Sequence, residues 1–199
     1  MKSIDIKGTT RTETGKKATK LLRQEGKVPC NLYGEARGED GLPVAKSFTV
    51  TAAGLRNLVY TPEIYSVNLD IDGVQHTAVM RELQFHPVSD QLLHVDFYEV
   101  TPEKPIIMEV PIKLNGLAEG VKAGGKLAAN VRKLKVRAPY TQIPERLDID
   151  VTNLGLGKTI KAGELQFEGL ELVTPASVVV CQVKMTRSAM SAAAKSQQE

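Results

Sequence analysis

The feature that most constrains the fold is a two-residue turn, Asp72-Gly73, between strand-like runs at residues 64–71 and 74–80. An Asp-Gly pair supplies the positive φ angles that tight hairpin turns require, so the two runs are predicted to form a hairpin. The other elements predicted for the first hundred residues are strands at 45–50 and 92–100, a helix at 15–26, and a helix at 52–60 capped by Thr51. Together they predict a mixed domain at residues 1–100, a small β-sheet or barrel with a helix lying against it.

A second domain is predicted after residues 101–105, where two prolines within four residues indicate a stiff linker. Its strand patterns lie at 106–114, 134–138, 147–151 and 177–184. A chain of 199 residues with 42% hydrophobic residues can build two small cores or one large one. The predicted fold class is therefore mainly β with a few helices, with a β-rich C-terminal domain at 101–187. Residues 188–199, rich in Ala, Ser and Gln, are predicted to be a disordered tail.

Several classes of protein are disfavoured by what the sequence lacks. It has neither an apolar run of 18 or more residues nor an apolar segment in its first ten residues, so we expect a cytoplasmic protein without a membrane partner. Cys30 and Cys181 form no CxxC pair, which indicates free thiols and no zinc site. The glycine-rich segments 119–127 and 155–159 lack the pattern of a phosphate loop and are predicted to be hairpin turns. We therefore expect no metal, cofactor or small-molecule substrate.

The segment 15–34, GKKATKLLRQEGKVPCNLYG, combines a short basic helix with an extended Val28-Pro29 pair and an aromatic residue. Its cations recur at helical spacing, and the apolar residues Ala18, Leu21 and Leu22 form a stripe for docking. The first 37 residues hold nine bases and four acids, although the whole chain carries a net charge of only +3. This local excess is typical of contact with a polyanion such as RNA. A solvated helix face is the alternative.

A second polar feature is His94 with Asp96, which lie two residues apart on a predicted strand and so project from the same face. Beside Tyr33 they could contact base edges and 2′-hydroxyls of RNA. They could equally begin a catalytic or metal site, or simply support the sheet. No serine or cysteine nucleophile stands in a recognisable elbow, so an enzyme is the weakest of these interpretations.

The motifs, taken together, resemble the CTC family of bacterial large-subunit ribosomal proteins, which also includes general stress proteins. The resemblance covers both halves of the chain and fits the two-domain form of the family. It is carried by Arg11-Thr12-Glu13, Gly15-Lys16, Leu22-Arg23, Gly26, Val28-Pro29, Leu32-Tyr33-Gly34, His86-Pro87 and His94-Val95-Asp96-Phe97.

This resemblance implies an N-terminal β-barrel with helices that binds 5S rRNA at its loop E region and helps to form the central protuberance with other large-subunit components. The barrel would be similar to the anticodon-binding domain of glutaminyl-tRNA synthetase. Tyr33, His94 and Asp96 would approach irregular base pairs. The residues implied to lie along the RNA backbone are Arg11, Lys16, Thr19, Lys20 and Arg23. Two positions depart from the family, which often has a small residue at Lys17 and a basic one at Leu21; Leu21 is interpreted as core.

Three functions follow from these patterns. A structural protein of the large ribosomal subunit is favoured, a free RNA-binding stress or regulatory protein would use the same basic surface, and an enzyme would need a pocket and a nucleophile. The second domain also carries cations, which permit contact with RNA or a neighbouring protein, but a solvated strand face is the favoured interpretation. These cations are Lys122, Lys126, Arg132, Lys133, Lys135 and Arg137.

Overall fold

The computed structural model describes residues 1–34, 41 and 44–186. The chain divides into two compact units, one of residues 1–106 and 139–145, the other of residues 107–138 with the described residues from 146 onward. The first unit contains a closed six-stranded barrel and the second contains two small sheets, which confirms the predicted fold class. The predicted boundaries at 100 and 101 stay a prediction, and the predicted tail at 188–199 lies outside the described residues.

The first unit contains six strands and two helices among its described residues. In order they are β1 (Lys2–Thr10), α1 (Lys16–Gln24), β2 (Lys27–Tyr33), β3 (Lys46–Thr51), α2 (Ala52–Val59), β4 (Tyr65–Ile71), β5 (Val74–Phe85) and β6 (Leu92–Glu99).

The barrel has the strand order β1-β3-β2-β6-β5-β4, closed by pairing of β4 with β1. The β2–β6 and β4–β1 pairs are parallel and the other four are antiparallel. Alternation along each strand turns one set of side chains inward: Val95 and Phe97 of β6 are fully buried, and the ring of Phe97 lies 5.8 Å from that of Phe48. Burying each side chain of this size contributes about 1.5–3 kcal/mol.

The predicted hairpin is confirmed as β4 and β5. Asp72 and Gly73 have φ angles of 51° and 88°, and the Gly73 N–H donates to the Asp70 carboxylate at 2.9 Å. Strand β5 extends five residues beyond the predicted end at Met80, to Phe85, because it pairs with β6 through register shifts at Met80/Glu82 and Gln84/Phe85. These shifts interrupt the period-two pattern on which the sequence-based boundary rested.

The two helices differ in how well the sequence predicted their packing. Helix α2 begins as expected, since the Thr51 hydroxyl accepts a hydrogen bond from the Gly54 N–H at 3.3 Å and the helix buries Leu55 and Leu58. Helix α1 has no fully buried residue, and Leu21 is 59% exposed. The interpretation of Leu21 as core is therefore wrong, because α1 lies on the barrel surface and places this position on a face that is open to solvent.

The main regular elements of the second unit are strands in two sheets, with the orders β10-β7-β9-β12 and β11-β13-β8. Its elements are β7 (Pro105–Asn115), α3 (Glu119–Lys122), β8 (Lys126–Ala129), β9 (Lys133–Pro139), β10 (Leu147–Asp150), β11 (Thr159–Lys161), a short 3₁₀ helix (Ala162–Glu164), β12 (Glu171–Leu172) and β13 (Val179–Lys184).

The two glycine-rich segments of this unit are not hairpin turns, so that prediction is wrong. Segment 119–127 contains α3 and the start of β8, and segment 155–159 connects strands of different sheets. The glycines instead let the two segments approach: a Cβ atom on Gly120 would lie 2.6 Å from the carbonyl carbon of Gly155, and the Gly120 N–H donates to the Leu154 carbonyl at 2.9 Å. Close packing of backbone, which local sequence does not reveal, explains the composition.

Candidate nucleic-acid interface

Helix α1 presents three lysines to solvent, Lys16, Lys17 and Lys20. Among the residues that the structure describes, no ion pair or hydrogen bond is formed by these three ammonium groups. Gly15 precedes the helix as its N-cap, with a φ of 101° that is suited to glycine, and no acidic residue stands in the first turn of the helix. The described residues therefore leave the cations of this face without an acidic partner, which suits contact with phosphates.

Thr19 and Arg23, also predicted to lie along the RNA, make contacts within the protein. The Thr19 hydroxyl can donate to the carbonyls of Gly15 and Lys16, at 3.0 and 3.1 Å. The Arg23 guanidinium donates from Nε and Nη2 to the Leu93 carbonyl, at 3.1 and 3.0 Å. Arg23 thus ties the end of α1 to β6, one residue before His94, and brings the basic helix beside the predicted polar pair.

Arg11 lies just after β1 and lines a cleft with Leu21 and Leu22 of α1. Its Nε and Nη1 atoms are buried, and they have no hydrogen-bond partner among the described residues. A buried unpaired donor costs about 1–3 kcal/mol, and charged donors cost more. A phosphate oxygen that reached these atoms would remove that cost.

The predicted His94–Asp96 pair lies on the outer face of β6, as the alternation of the strand requires. Its Nδ1 and Oδ1 atoms are 3.4 Å apart, and the side chains are 19% and 22% exposed. Asp96 is in register with Asn31 of β2, and His94 with Gln84 of β5. Four polar side chains from three adjacent strands therefore form one outward row, which we call the polar row.

Tyr33 borders the polar row on β2. It is in register with Tyr98 of β6, and the two rings meet edge to face with centroids 5.8 Å apart. Partial burial raises the pKa of the Tyr33 hydroxyl, and the nearby Asp96 charge raises it further. The hydroxyl therefore keeps its proton at neutral pH and can donate a hydrogen bond to a ligand.

Asn31 and Tyr98 were not predicted from the sequence, although a simple signal could have found them. Asn31 lies two residues before Tyr33, and Tyr98 two residues after Asp96, so both share a strand face with a predicted residue. Gln84 carried no such signal, because it joins the row only through the register of β5 with β6.

The other two histidines of the chain have contacts that fix them in the fold. His76 Nδ1 lies 2.7 Å from the Glu99 carboxylate, and its Nε2 lies 3.2 Å from the Lys46 ammonium nitrogen. His86 Nδ1 accepts from the backbone N–H groups of Val88 and Ser89, at 3.3 and 3.2 Å, and so shapes the turn before β6. Neither histidine belongs to the polar row.

Possible nucleophiles and metal ligands were also located. Cys30 and Cys181 are free and buried, and burial is the main reason that the pKa of the Cys30 thiol rises to about 12. Within residues 1–34, 41 and 44–186, no group of three or more metal-ligating side chains occurs. The helices in that same part of the chain are all too short or too polar to cross a membrane.

The cations of the second unit stand in a different setting. On the outer face of β9, Lys135 lies 3.8 Å from Glu109 of β7, and Arg137 lies 3.9 Å from Glu171 of β12. Acidic side chains on both neighbouring strands thus offset part of this charge, as expected for a solvated strand face.

An uncompensated basic helix beside aromatic and polar side chains on a barrel face is typical of RNA-binding proteins. Comparison with known proteins agrees with this class. A family model described as the ribosomal L25p family matches residues 6–97, and one described as the C-terminal domain of ribosomal protein TL5 matches residues 105–187.

Similar proteins cover almost the whole chain. It is 62% identical over 194 residues to the large ribosomal subunit protein bL25 of Phocaeicola vulgatus, with 98% of each chain covered. Identity to the protein of the same name is 57% over 199 residues in Bacteroides thetaiotaomicron, with 98% of each covered, and 52% over 198 residues in Porphyromonas gingivalis, with 99% of this chain and 100% of the relative covered. The chain belongs to the ribosomal L25p family, which confirms the resemblance to bacterial large-subunit ribosomal proteins.

Proposed function

We propose that this chain is a structural component of the large ribosomal subunit that binds 5S rRNA in its loop E region and helps to form the central protuberance. Family membership supports the ribosomal role, since the curated relatives are named large ribosomal subunit proteins. The observation that carries the RNA contact is the adjacency, through Arg23 and Leu93, of an uncompensated basic helix and the polar row.

Affinity comes mainly from the cations in this proposal. Lys16, Lys17 and Lys20 lie on one short helix and release counterions when they approach phosphates. Arg11 contributes two buried N–H donors that lack a partner among the described residues, and a phosphate would supply one. These contacts position the RNA and carry little information about its sequence.

Selectivity comes from Tyr33 and the polar row. The Asp96 carboxylate repels a phosphate but accepts hydrogen bonds from the amino groups of exposed base edges. His94 and the Tyr33 hydroxyl can donate to base or ribose oxygens. A regular duplex hides its major-groove base edges in a deep, narrow groove and offers mainly 2′-hydroxyls and minor-groove edges, so it satisfies the cations but fewer of these groups. The arrangement therefore favours an irregular RNA helix, as loop E is expected to be.

The rest of the proposal concerns setting and activity. We infer a ribosome-associated, cytoplasmic protein whose partners are 5S rRNA and other large-subunit components, with no catalytic role and no cofactor. The His94–Asp96 pair lies on the outer face of β6, and the two cysteines, which would be the strongest nucleophiles, are both buried.

The test is a titration of the full chain with a loop E fragment of 5S rRNA and with a plain RNA duplex of equal length, each at several salt concentrations. We expect tighter binding to the fragment. Lys20→Ala should weaken binding to both RNAs and lower the slope of log affinity against log salt by about one unit. Asp96→Ala should weaken fragment binding by about tenfold, the worth of one good polar base contact, and leave duplex binding unchanged or stronger.

Lys133→Ala is the matched control, because it removes one exposed lysine from the second unit. It should leave the fragment affinity within about twofold of the unmodified chain, as is usual for a surface residue outside the interface. Equal affinity of the unmodified chain for both RNAs would reject loop E selectivity. Co-sedimentation of the chain with large subunits tests the ribosomal role separately, and a protein that remained free while binding RNA would be a regulatory binder instead.

A further inference from the structure

A second aromatic site lies on the first unit, away from Tyr33 and Tyr98. Tyr60 follows α2 and is 65% exposed, and Phe85 ends β5 and is 39% exposed. Their ring centroids are 6.4 Å apart with an angle of 53° between the planes. This contact holds the Tyr60 ring in place while leaving most of it open to solvent, as in a stacking platform.

Tyr60 borders a cleft between the end of α1, the face of α2 and the start of β6. Its floor is apolar, and its polar side chains are cations and an amide. The residues that line it include Arg23, Lys27, Val28, Leu55, Arg56 and Gln91. None of the described residues that line it is acidic, although the chain as a whole contains 23 acids and 26 lysines and arginines.

The cations of the cleft differ in the hydrogen bonds and ion pairs that they already make within the protein. The Arg56 guanidinium makes no hydrogen bond or ion pair with any residue that the structure describes. The Arg23 guanidinium donates from Nε and Nη2 to the Leu93 carbonyl, which leaves Nη1 available to a ligand. The Lys27 ammonium group lies 3.0 Å from the Glu25 carboxylate. The uncompensated charge of the cleft is therefore centred on Arg56, beside the open Tyr60 ring.

We propose that this cleft holds one unstacked nucleotide of the RNA that α1 contacts, with its base stacked on Tyr60 and its phosphate held by Arg56. The inference rests on the proposed RNA-binding function and extends the interface from α1 to α2. Arg23 is common to the two surfaces, since it lines the cleft and also anchors α1 beside the polar row.

Three observations favour a nucleotide over other occupants. An aromatic face next to arginine is the usual platform for an unpaired base, and stacking tolerates any base. The absence of acids from the lining residues complements a phosphate. The cleft volume of about 190 Å³ is below the roughly 300–1,000 Å³ of small-molecule pockets, so it suits a single ring better than an enclosed ligand. Gln91 adds an amide that can bond a base edge.

A fluorescence experiment tests stacking directly, because the chain contains no tryptophan. Tyr60→Trp introduces one indole at the platform, and Val74→Trp introduces one at the opposite end of β5, where the native side chain is 54% exposed. With each full-length variant saturated by 5S rRNA, we expect strong quenching of the indole at position 60 and little change at position 74. Circular dichroism verifies that both variants remain folded.

Affinity measurements separate stacking from simple apolar contact. Tyr60→Phe should bind 5S rRNA as the unmodified chain does, whereas Tyr60→Leu and Tyr60→Ala should bind about five- to hundredfold more weakly, the range for one stacked base. Arg56→Ala should lower the salt slope by about one unit, and Arg56→Lys should restore most of it.

The outcomes distinguish this inference from the function on which it rests. If the unmodified chain prefers loop E but the indole at position 60 is not quenched and Tyr60→Leu binds normally, the nucleotide pocket is rejected and the proposed function stands. If Tyr60→Leu and Tyr60→Phe weaken binding equally, the hydroxyl rather than the ring is used and stacking is rejected. If the unmodified chain does not bind 5S rRNA, both proposals fail.

Discussion

The basic surfaces of the two units differ in their neighbours rather than in their number of cations. On α1, Lys16, Lys17 and Lys20 have no acidic partner among the described residues, whereas on β9 Lys135 and Arg137 lie within 4 Å of glutamates on adjacent strands. A strand inside a sheet has flanking strands about 4.8 Å away, and these can carry opposite charges. A short helix on a barrel surface has no such neighbours. Counting bases along the sequence therefore overestimates the charge that a strand face offers to RNA.

The largest change in RNA affinity is expected when the positive charge of α1 is removed. In the triple variant Lys16→Ala, Lys17→Ala, Lys20→Ala, affinity for 5S rRNA should fall by about 100-fold at 0.1 M salt, and the salt slope should fall by about two to three units, because three phosphate contacts are lost. Filter binding at several salt concentrations measures both quantities.

The matched control is the triple variant Lys133→Ala, Lys135→Ala, Arg137→Ala on β9, which removes the same number of charges from the second unit. Its affinity and salt slope should stay close to those of the unmodified chain. If the two triple variants lost affinity equally, the contrast between the two surfaces would have no functional meaning.

A smaller change in RNA affinity is expected when the cations of β9 lose their acidic partners. Glu109→Gln together with Glu171→Gln removes the acids that face Lys135 and Arg137 while keeping similar side-chain shapes. Exposed ion pairs are worth about 0.2–1 kcal/mol each, so the loss of both should raise binding to a plain RNA duplex by about two- to thirtyfold, and that binding should weaken steeply with salt. An unchanged duplex affinity at low salt would show that these acids do not mask the strand face.

The smallest effect is a change in thermal stability, and it comes from a feature of both units, an exposed aspartate that accepts hydrogen bonds from a threonine. Hydrogen bonds from Thr10 lower the pKa of Asp72 in the first unit, and hydrogen bonds from Thr152 lower that of Asp150 in the second. A folded-state pKa below the unfolded value near 3.8 adds stability that is present above that pH and is lost as the pH falls through the folded pKa.

We therefore expect Asp72→Asn and Asp150→Asn each to lower the melting temperature slightly at pH 7 and to leave it unchanged near pH 2. Thermal unfolding across that range measures the difference, which should shrink with added salt because both carboxylates are exposed. The difference in melting temperature between each variant and the unmodified chain should not grow as the pH falls. If it did, the assigned direction of the two pKa shifts would be contradicted.

Local signals predicted much of the first unit. The Asp72-Gly73 hairpin and the Thr51 cap rest on interactions within a few residues, and both were confirmed. Strand β1 was not predicted, because its apolar pattern is limited to Ile4 and Ile6 and it becomes a strand by pairing with both β3 and β4. The same limit explains α3 and β8, where glycines that suggest a turn instead allow two segments to pack closely.

The candidate interface also contains features that local sequence predicts and features that it does not. The spacing of Lys16, Lys17 and Lys20, and the two-residue step from His94 to Asp96, could be taken from the sequence because helices and strands repeat at fixed periods. The contact of Arg23 with the Leu93 carbonyl joins residues 70 positions apart, and no local pattern indicates it. Gln84 joins the polar row only through strand register.

Short-range periodicity, composition and motif spacing were enough to predict the class of fold, the concentration of bases near the N-terminus and the family that the chain resembles. Contacts between distant parts of the chain set which charges remain uncompensated, which strands close the barrel and which side chains lie beside one another on its face. Electrostatic compensation and strand pairing act between residues that are close in space, and in this chain the decisive pairs are tens of positions apart.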